Sequence, residues 1–178
     1  MIFRTTAGDN LTFVSDLNED GYGPNGKMEH LVCFFPGVLA LGSKELDRKD
    51  DLNLAKELME TCYNFYEKMP SGLSPESVRF KGLNPQKNFP GNDLVEPEDT
   101  DPKNLDYVIE SRVYLLRPET VESLMVLYRI TKDEKYREMG WNIFQSIEKF
   151  TKTPTAYSSI DDVTSESPGL NYMNSMER

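Results

Sequence analysis

The chain has 178 residues, 38% hydrophobic and 28% charged, which is enough apolar material for a folded core and too much for a wholly disordered chain. Its formal net charge is -10 and no Lys/Arg cluster is interleaved with aromatics, so nucleic acid, which needs a basic footprint, is excluded as a partner. No run of about 20 apolar residues occurs, so no membrane-spanning helix is expected.

Met1 to Asn10 lacks the apolar core of a secretory signal and reads as the middle of a domain. The end at Asn174–Arg178 carries no helix cap, and both ends suggest a piece of something longer. Asn10-Leu11-Thr12 is a glycosylation acceptor triplet, a weak pointer to a secretory compartment. Leu11–Val14 reads as a short strand, and the Gly-rich stretch around Gly21–Gly26 as a turn region. Lys27 to Leu41 is apolar on nearly all sides, which predicts a buried helix kinked at Pro36 and stopped by Gly42. Asp50 opens a second helix that runs to about Lys68, with Leu54, Leu58, Cys62, Phe65 and Tyr66 on its apolar face.

The stretch 73–116 is irregular and holds five prolines, with short extended pieces expected at Ser77–Phe80 and Tyr107–Ile109. Residues 84–104 read as a mobile insertion. Pro118 is placed to open a third helix to Thr131, with Val121, Leu124, Met125 and Tyr128 as its apolar stripe. Asp133 is placed to cap a fourth helix to about Thr151, with Tyr136, Met139, Ile143, Phe144 and Ile147 facing inward. The short gap between these two helices implies an antiparallel helical hairpin. The tail from Pro154 to Pro168 is loop-like, with a short strand at Ala156–Ile160.

Sugar hydrolysis needs two carboxyl groups across a glycosidic bond, and such groups sit in loops or at helix starts facing a cavity. Glu76 follows Pro75 in a loop. Glu119 follows Pro118 at a helix start, where free backbone N–H groups and the helix dipole favour the ionised carboxylate, and Arg117 adds opposite charge. Pro-Glu at a helix start is equally common as plain capping chemistry, and Glu122 is most simply a helix-face residue. His30, the one histidine, reads as a hydrogen-bonded core residue rather than a metal ligand, because no second His or near pair of cysteines accompanies it. On composition alone Cys33 and Cys62 read as two buried thiols.

Four runs in order resemble glycoside hydrolase family 47, the class I α-1,2-mannosidases. They are Met28–Phe34, Ser71–Glu76, Leu116–Ser123 and Lys135–Trp141, and Asn174–Glu177 resembles the start of another family motif. The resemblance covers nearly all of the chain, a partial catalytic domain over 1–178, and is weakest across an expected insertion at about 81–115. It implies an all-α fold, part of an (α/α)₇ barrel built from helical hairpins, with short β pieces in the loops. It implies calcium-dependent, inverting removal of terminal α-1,2-mannose from Man₉-type N-glycans, and location in the endoplasmic reticulum or Golgi lumen. High-mannose N-glycans on glycoproteins would be the partners.

By match to the motifs, Glu119 resembles the water-activating base and Glu76 a second active-site acid often assigned as proton donor. Arg117, His30 and Glu122 resemble substrate-binding pocket residues. Cys33 and Cys62 match a family disulfide, which fits an oxidising lumen. The family's N-terminal acid motif and an Asp-bearing motif are absent here, and the direct calcium ligand, a Thr, is expected beyond Arg178. The chain by itself is therefore expected to be inactive. A non-hydrolytic glycan-binding helper in glycoprotein quality control and a truncated relic are the alternatives.

Overall fold

The computed structural model describes residues 2–4, 9–18, 21, 23–81 and 106–172. Most of the expected insertion and the Asn174–Glu177 motif lie outside the described residues. Four α-helices and seven short strands are described, so the all-α expectation with small β pieces holds for this part of the chain.

Strand β1 (Ile2–Arg4), which was not expected, pairs antiparallel with β2 (Thr12–Val14), the strand expected at Leu11–Val14. The expected helix over 27–41 is instead three elements: strand β3 (Lys27–Glu29), a 3₁₀ turn (His30–Phe34) and helix α1 (Phe35–Glu45). Pro36 explains the difference. It lacks an N–H and clashes with a preceding turn, so it sits in the first turn of α1, where neither defect matters. Gly42 does not stop the helix, which continues to Glu45. Helix α2 (Lys49–Glu67) has Asp50 and Asp51 in its first turn, where the dipole favours negative charge. Leu58, Cys62, Phe65 and Tyr66 are buried along it as their spacing predicts.

Strands β4 (Ser77–Phe80) and β5 (Tyr107–Ser111) complete an antiparallel sheet in the order β3-β4-β5. Phe13 and Phe80 stack at 3.8 Å between ring centres, and Tyr107 meets Phe65 edge-on at 5.0 Å, joining both sheets to α2. Helix α3 (Glu119–Thr131) begins one residue after Pro118 and ends at Lys132, which is left-handed at φ 61°. Its buried face is Thr120, Ser123, Leu124 and Leu127, whereas Met125 is 56% exposed. The stripe is rotated from the apolar one because Thr120 and Ser123 face inward to make buried hydrogen bonds. Helix α4 (Lys135–Phe150) buries Tyr136 and Ile143. Asp133 accepts the Lys135 N–H at 3.1 Å, as a capping residue should. Phe144, expected to face inward, is exposed and stacks on Trp141. The tail strand is shorter than expected, Ser159–Ile160 (β6) paired with Leu170–Asn171 (β7).

Three-residue connections reverse the chain between α1 and α2 and between α3 and α4, and α1 packs against both α2 and α3. The close approach of α1 and α3 depends on Gly37, whose absent Cβ would lie 3.0 Å from the Ser123 Oγ and 3.3 Å from its Cα.

Candidate active site

The sheet β3-β4-β5 ends at one edge, and that edge brings two of the candidate residues together. The backbone N–H of His30 donates to the Glu76 carbonyl at 2.9 Å, and the Glu76 N–H donates to the Ser111 carbonyl at 3.0 Å. The chain then returns through Leu116, which is left-handed at φ 59°. That conformation is uncommon for a bulky residue, and such strain concentrates where a site demands it. The two residues that follow, Arg117 and Pro118, lead directly into α3.

Arg117 is buried and its guanidinium forks onto Glu76: Nε lies 2.7 Å and 2.6 Å from the two carboxylate oxygens, and Nη2 also donates to Oε1. A planar two-pronged pair of this kind fixes both side chains in orientation as well as in charge. Glu119, the first residue of α3, is 17% exposed at its side chain and places Oε2 3.4 Å from His30 Nδ1. That distance is long for a hydrogen bond, and both atoms are buried without a hydrogen-bond partner. His30 is held from its other side, where Nε2 lies 2.7 Å from the Tyr66 hydroxyl and 3.1 Å from Thr120 Oγ1. We assign the ring proton to Nδ1, since a carboxylate oxygen facing it accepts and cannot donate.

Burial raises the Glu119 carboxyl, but the His30 ring, the backbone N–H at the start of α3 and the Arg117 charge outweigh it and hold the group below the usual glutamate value. Burial pushes the Tyr66 hydroxyl well above the ordinary tyrosine value, with Tyr114 adding to the effect, so Tyr66 remains an O–H donor. Tyr114, whose ring meets Tyr66 edge-on at 6.2 Å, is raised mainly by the same burial. Glu122 lies one turn along α3 from Glu119 and is exposed.

Cys33 and Cys62 are joined in a disulfide that ties the 3₁₀ turn to α2. The reading as free buried thiols is therefore replaced by the bridge that the motifs imply. The Ser123 hydroxyl donates to the Cys33 carbonyl at 2.6 Å and accepts the Gly37 N–H at 3.0 Å, which ties the same turn to α3. Tyr66, Thr120 and Ser123 were not singled out from sequence. Tyr66 carries the apolar spacing of a core aromatic, and the small hydroxyl residues break the stripe of α3 rather than extend it. Two buried hydroxyls on a helix that should be apolar are the signal that was available.

Calcium takes six to eight oxygen ligands. Among the described residues no three His, Cys, Asp or Glu side chains converge on one metal position, and the orphaned Glu119 Oε2 faces a ring nitrogen. The described residues do not form a calcium cage. The surface depression lined by Glu134, Arg137, Trp141 and Asn142 involves none of the clustered residues.

Residues 1–177 match the profile of glycosyl hydrolase family 47. The chain is 46% identical over 163 residues to the human endoplasmic reticulum mannosyl-oligosaccharide 1,2-alpha-mannosidase, a match covering 91% of this chain and 21% of that protein. It is 42% identical over 185 residues to the Candida albicans mannosyl-oligosaccharide 1,2-alpha-mannosidase, covering 90% and 30%. Its fold superposes on the alpha-1,2-mannosidase from Trichoderma reesei with a TM-score of 0.77 at 29% identity, over 90% of this chain and 32% of that one. The chain thus spans about a fifth to a third of the proteins it resembles.

Proposed function

This chain belongs to glycosyl hydrolase family 47, and from that premise we propose that it carries the water-activating half of an α-1,2-mannosidase active site acting on high-mannose N-glycans. The observation that carries the proposal is the convergence of His30, Glu76 and the Arg117–Glu119 pair from three separate segments onto one sheet edge and helix start. Similarity to mannosidases over nine-tenths of the chain supports the substrate class.

Glu119 is the base. Held below the ordinary glutamate value, it is ionised at neutral pH and able to take a proton from water. His30 orients that carboxylate, and Tyr66 and Thr120 fix the ring of His30. Glu76 is assigned to holding Arg117, not to donating a proton. A donated proton must start on a carboxyl oxygen, and both oxygens of Glu76 accept from the guanidinium. The exposed Glu122 is then the group offered to sugar hydroxyls, and Arg117 is the cation that Glu76 holds beside the site. Inversion needs the acid partner across the bond, with room for the water between them, roughly 6.5–9.5 Å from the base. Glu76, the second candidate carboxyl, is committed to Arg117, and the chain spans a fifth to a third of its relatives' length, so the chain alone is expected to release no mannose. The complete site belongs to an (α/α)₇ barrel, in the lumen of the endoplasmic reticulum or Golgi. In that complete enzyme calcium would bind sugar hydroxyls.

The test is a hybrid in which this chain replaces the matching stretch of the human relative. The hybrid should release mannose from a Man₉ glycan, and Glu119→Gln should lower kcat by about 10²–10⁴-fold. A folded hybrid whose rate is unchanged by Glu119→Gln sinks the assignment.

A further inference from the structure

We propose that Asn10 is an attachment site for an N-linked oligosaccharide, added before strands β1 and β2 close over Thr12. This rests on the lumenal location proposed above. Asn10-Leu11-Thr12 is the one Asn-X-Ser/Thr triplet in the sequence, and its three residues have opposite fates in the fold. Asn10 is exposed and left-handed at φ 54°, a conformation that asparagine tolerates better than other non-glycine residues. Leu11 and Thr12 are buried.

Its neighbours are pinned on both sides. The Asp9 N–H donates to Asp106 at 2.8 Å, and the Asp9 carboxylate accepts from Asn64 and Lys68, each at 3.0 Å. On the other side the Thr12 carbonyl accepts from Thr61 at 2.6 Å. The turn therefore holds Asn10 at the surface, where a large hydrophilic group is solvated and displaces no core contact.

Thr12 sets the order of events. Enzymatic transfer to this triplet requires the hydroxyl two residues after the asparagine to be reached. In the folded chain Thr12 is 4% exposed, its hydroxyl donates to Glu57 at 2.9 Å, and it accepts from Arg4 at 3.1 Å. The folded chain is thus closed to the transferase, and modification has to precede pairing of β1 with β2. In the step itself the Asn10 amide nitrogen bonds to the anomeric carbon of a lipid-diphosphate-linked oligosaccharide. The bond from that carbon to phosphate oxygen breaks, the lipid diphosphate leaves with the electron pair, and the amide gives up one proton to solvent through the enzyme's base.

The experiment uses the protein isolated from its source cells, compared with and without an amidase that cleaves N-glycans, and read by gel mobility and peptide mass. The expected result is a shift removed by the amidase, with Asn10 converted to Asp in the treated peptide. The shift should vanish in Asn10→Asp, which keeps the left-handed preference, and survive in Thr12→Ser. Unglycosylated chain should accept oligosaccharide from the lipid donor and transferase when reduced and unfolded, and not when folded. Protein that holds the Cys33–Cys62 bridge but no glycan overturns the attachment site alone. Protein lacking both overturns the lumenal reading and the site with it. Equal transfer to folded and unfolded chain overturns the order of events.

Discussion

Replacing both Cys33 and Cys62 with alanine tests whether the 3₁₀ turn carrying His30 is held covalently in a way the remaining contacts cannot replace. The bridge spans a sequence separation of 29. Releasing a loop of about 30 residues returns roughly 12 cal/mol/K of entropy to the unfolded chain, about 3.6 kcal/mol at 25 °C. Alanine is the right replacement because both cysteines are fully buried, and a serine hydroxyl there would bring its own desolvation cost of about 1–3 kcal/mol. With a urea dependence of about 2 kcal/mol per molar, the unfolding midpoint should fall by about 2 M. The assay is urea denaturation followed by circular dichroism, with the oxidised parent as reference. A fall of less than about 0.5 M at unchanged slope would refute the loop-entropy argument. It would mean that the Ser123 hydrogen bonds and the packing of α1 already fix the turn.

Ser123→Ala strands the Cys33 carbonyl and the Gly37 N–H and should cost about 1–3 kcal/mol, while Gly37→Ala forces a Cβ against Ser123 and should cost about 1–3 kcal/mol. The double variant should lose less than the sum, because removing Oγ opens part of the space the new Cβ needs; strict additivity in thermal unfolding would count against this contact. Glu119 has a folded pKa below its unfolded one, so its contribution to stability is present above the ordinary value of 4.5 and is lost as pH falls through the lower folded value. Glu119→Gln should therefore flatten the acid limb of a stability–pH profile below the ordinary value of 4.5 and leave the neutral limb parallel to the parent, and an identical acid limb would remove Glu119 as an ionised group in the fold.

Helices α2, α3 and α4 and strands β2, β4 and β5 were legible because each is specified locally, by apolar spacing, a proline or aspartate at the start, or β-branched and aromatic runs. Lys27 to Leu41 was misread for a physical reason. Its apolar content reports burial, which a sheet edge, a 3₁₀ turn and a helix all provide, and spacing cannot separate them when every side is covered. Only Pro36 marks the boundary, and it does so by starting α1 rather than bending it. The inward turn of α3 was illegible for a related reason. A helix stripe is chosen by what it packs against, and Ser123 and Thr120 face inward because their partners are 86 to 90 residues away.

The same distance in sequence separates what motifs convey from what geometry adds. The run Leu116–Ser123 marks Glu119 and Arg117 as a pair, two residues apart, and charge proximity alone would have Arg117 serve Glu119. The structure divides them differently. Arg117 commits its Nε and Nη2 to Glu76, and Glu119 turns to His30. Leu116, strained at φ 59°, turns the backbone between β5 and α3 just before Arg117 and Glu119, two residues apart, which serve different partners. Glu119 is thereby left as an ionised carboxylate at the helix start, part-exposed at 17% of its side chain, while Arg117 is held in place by Glu76 close enough for its charge to favour that ionised form.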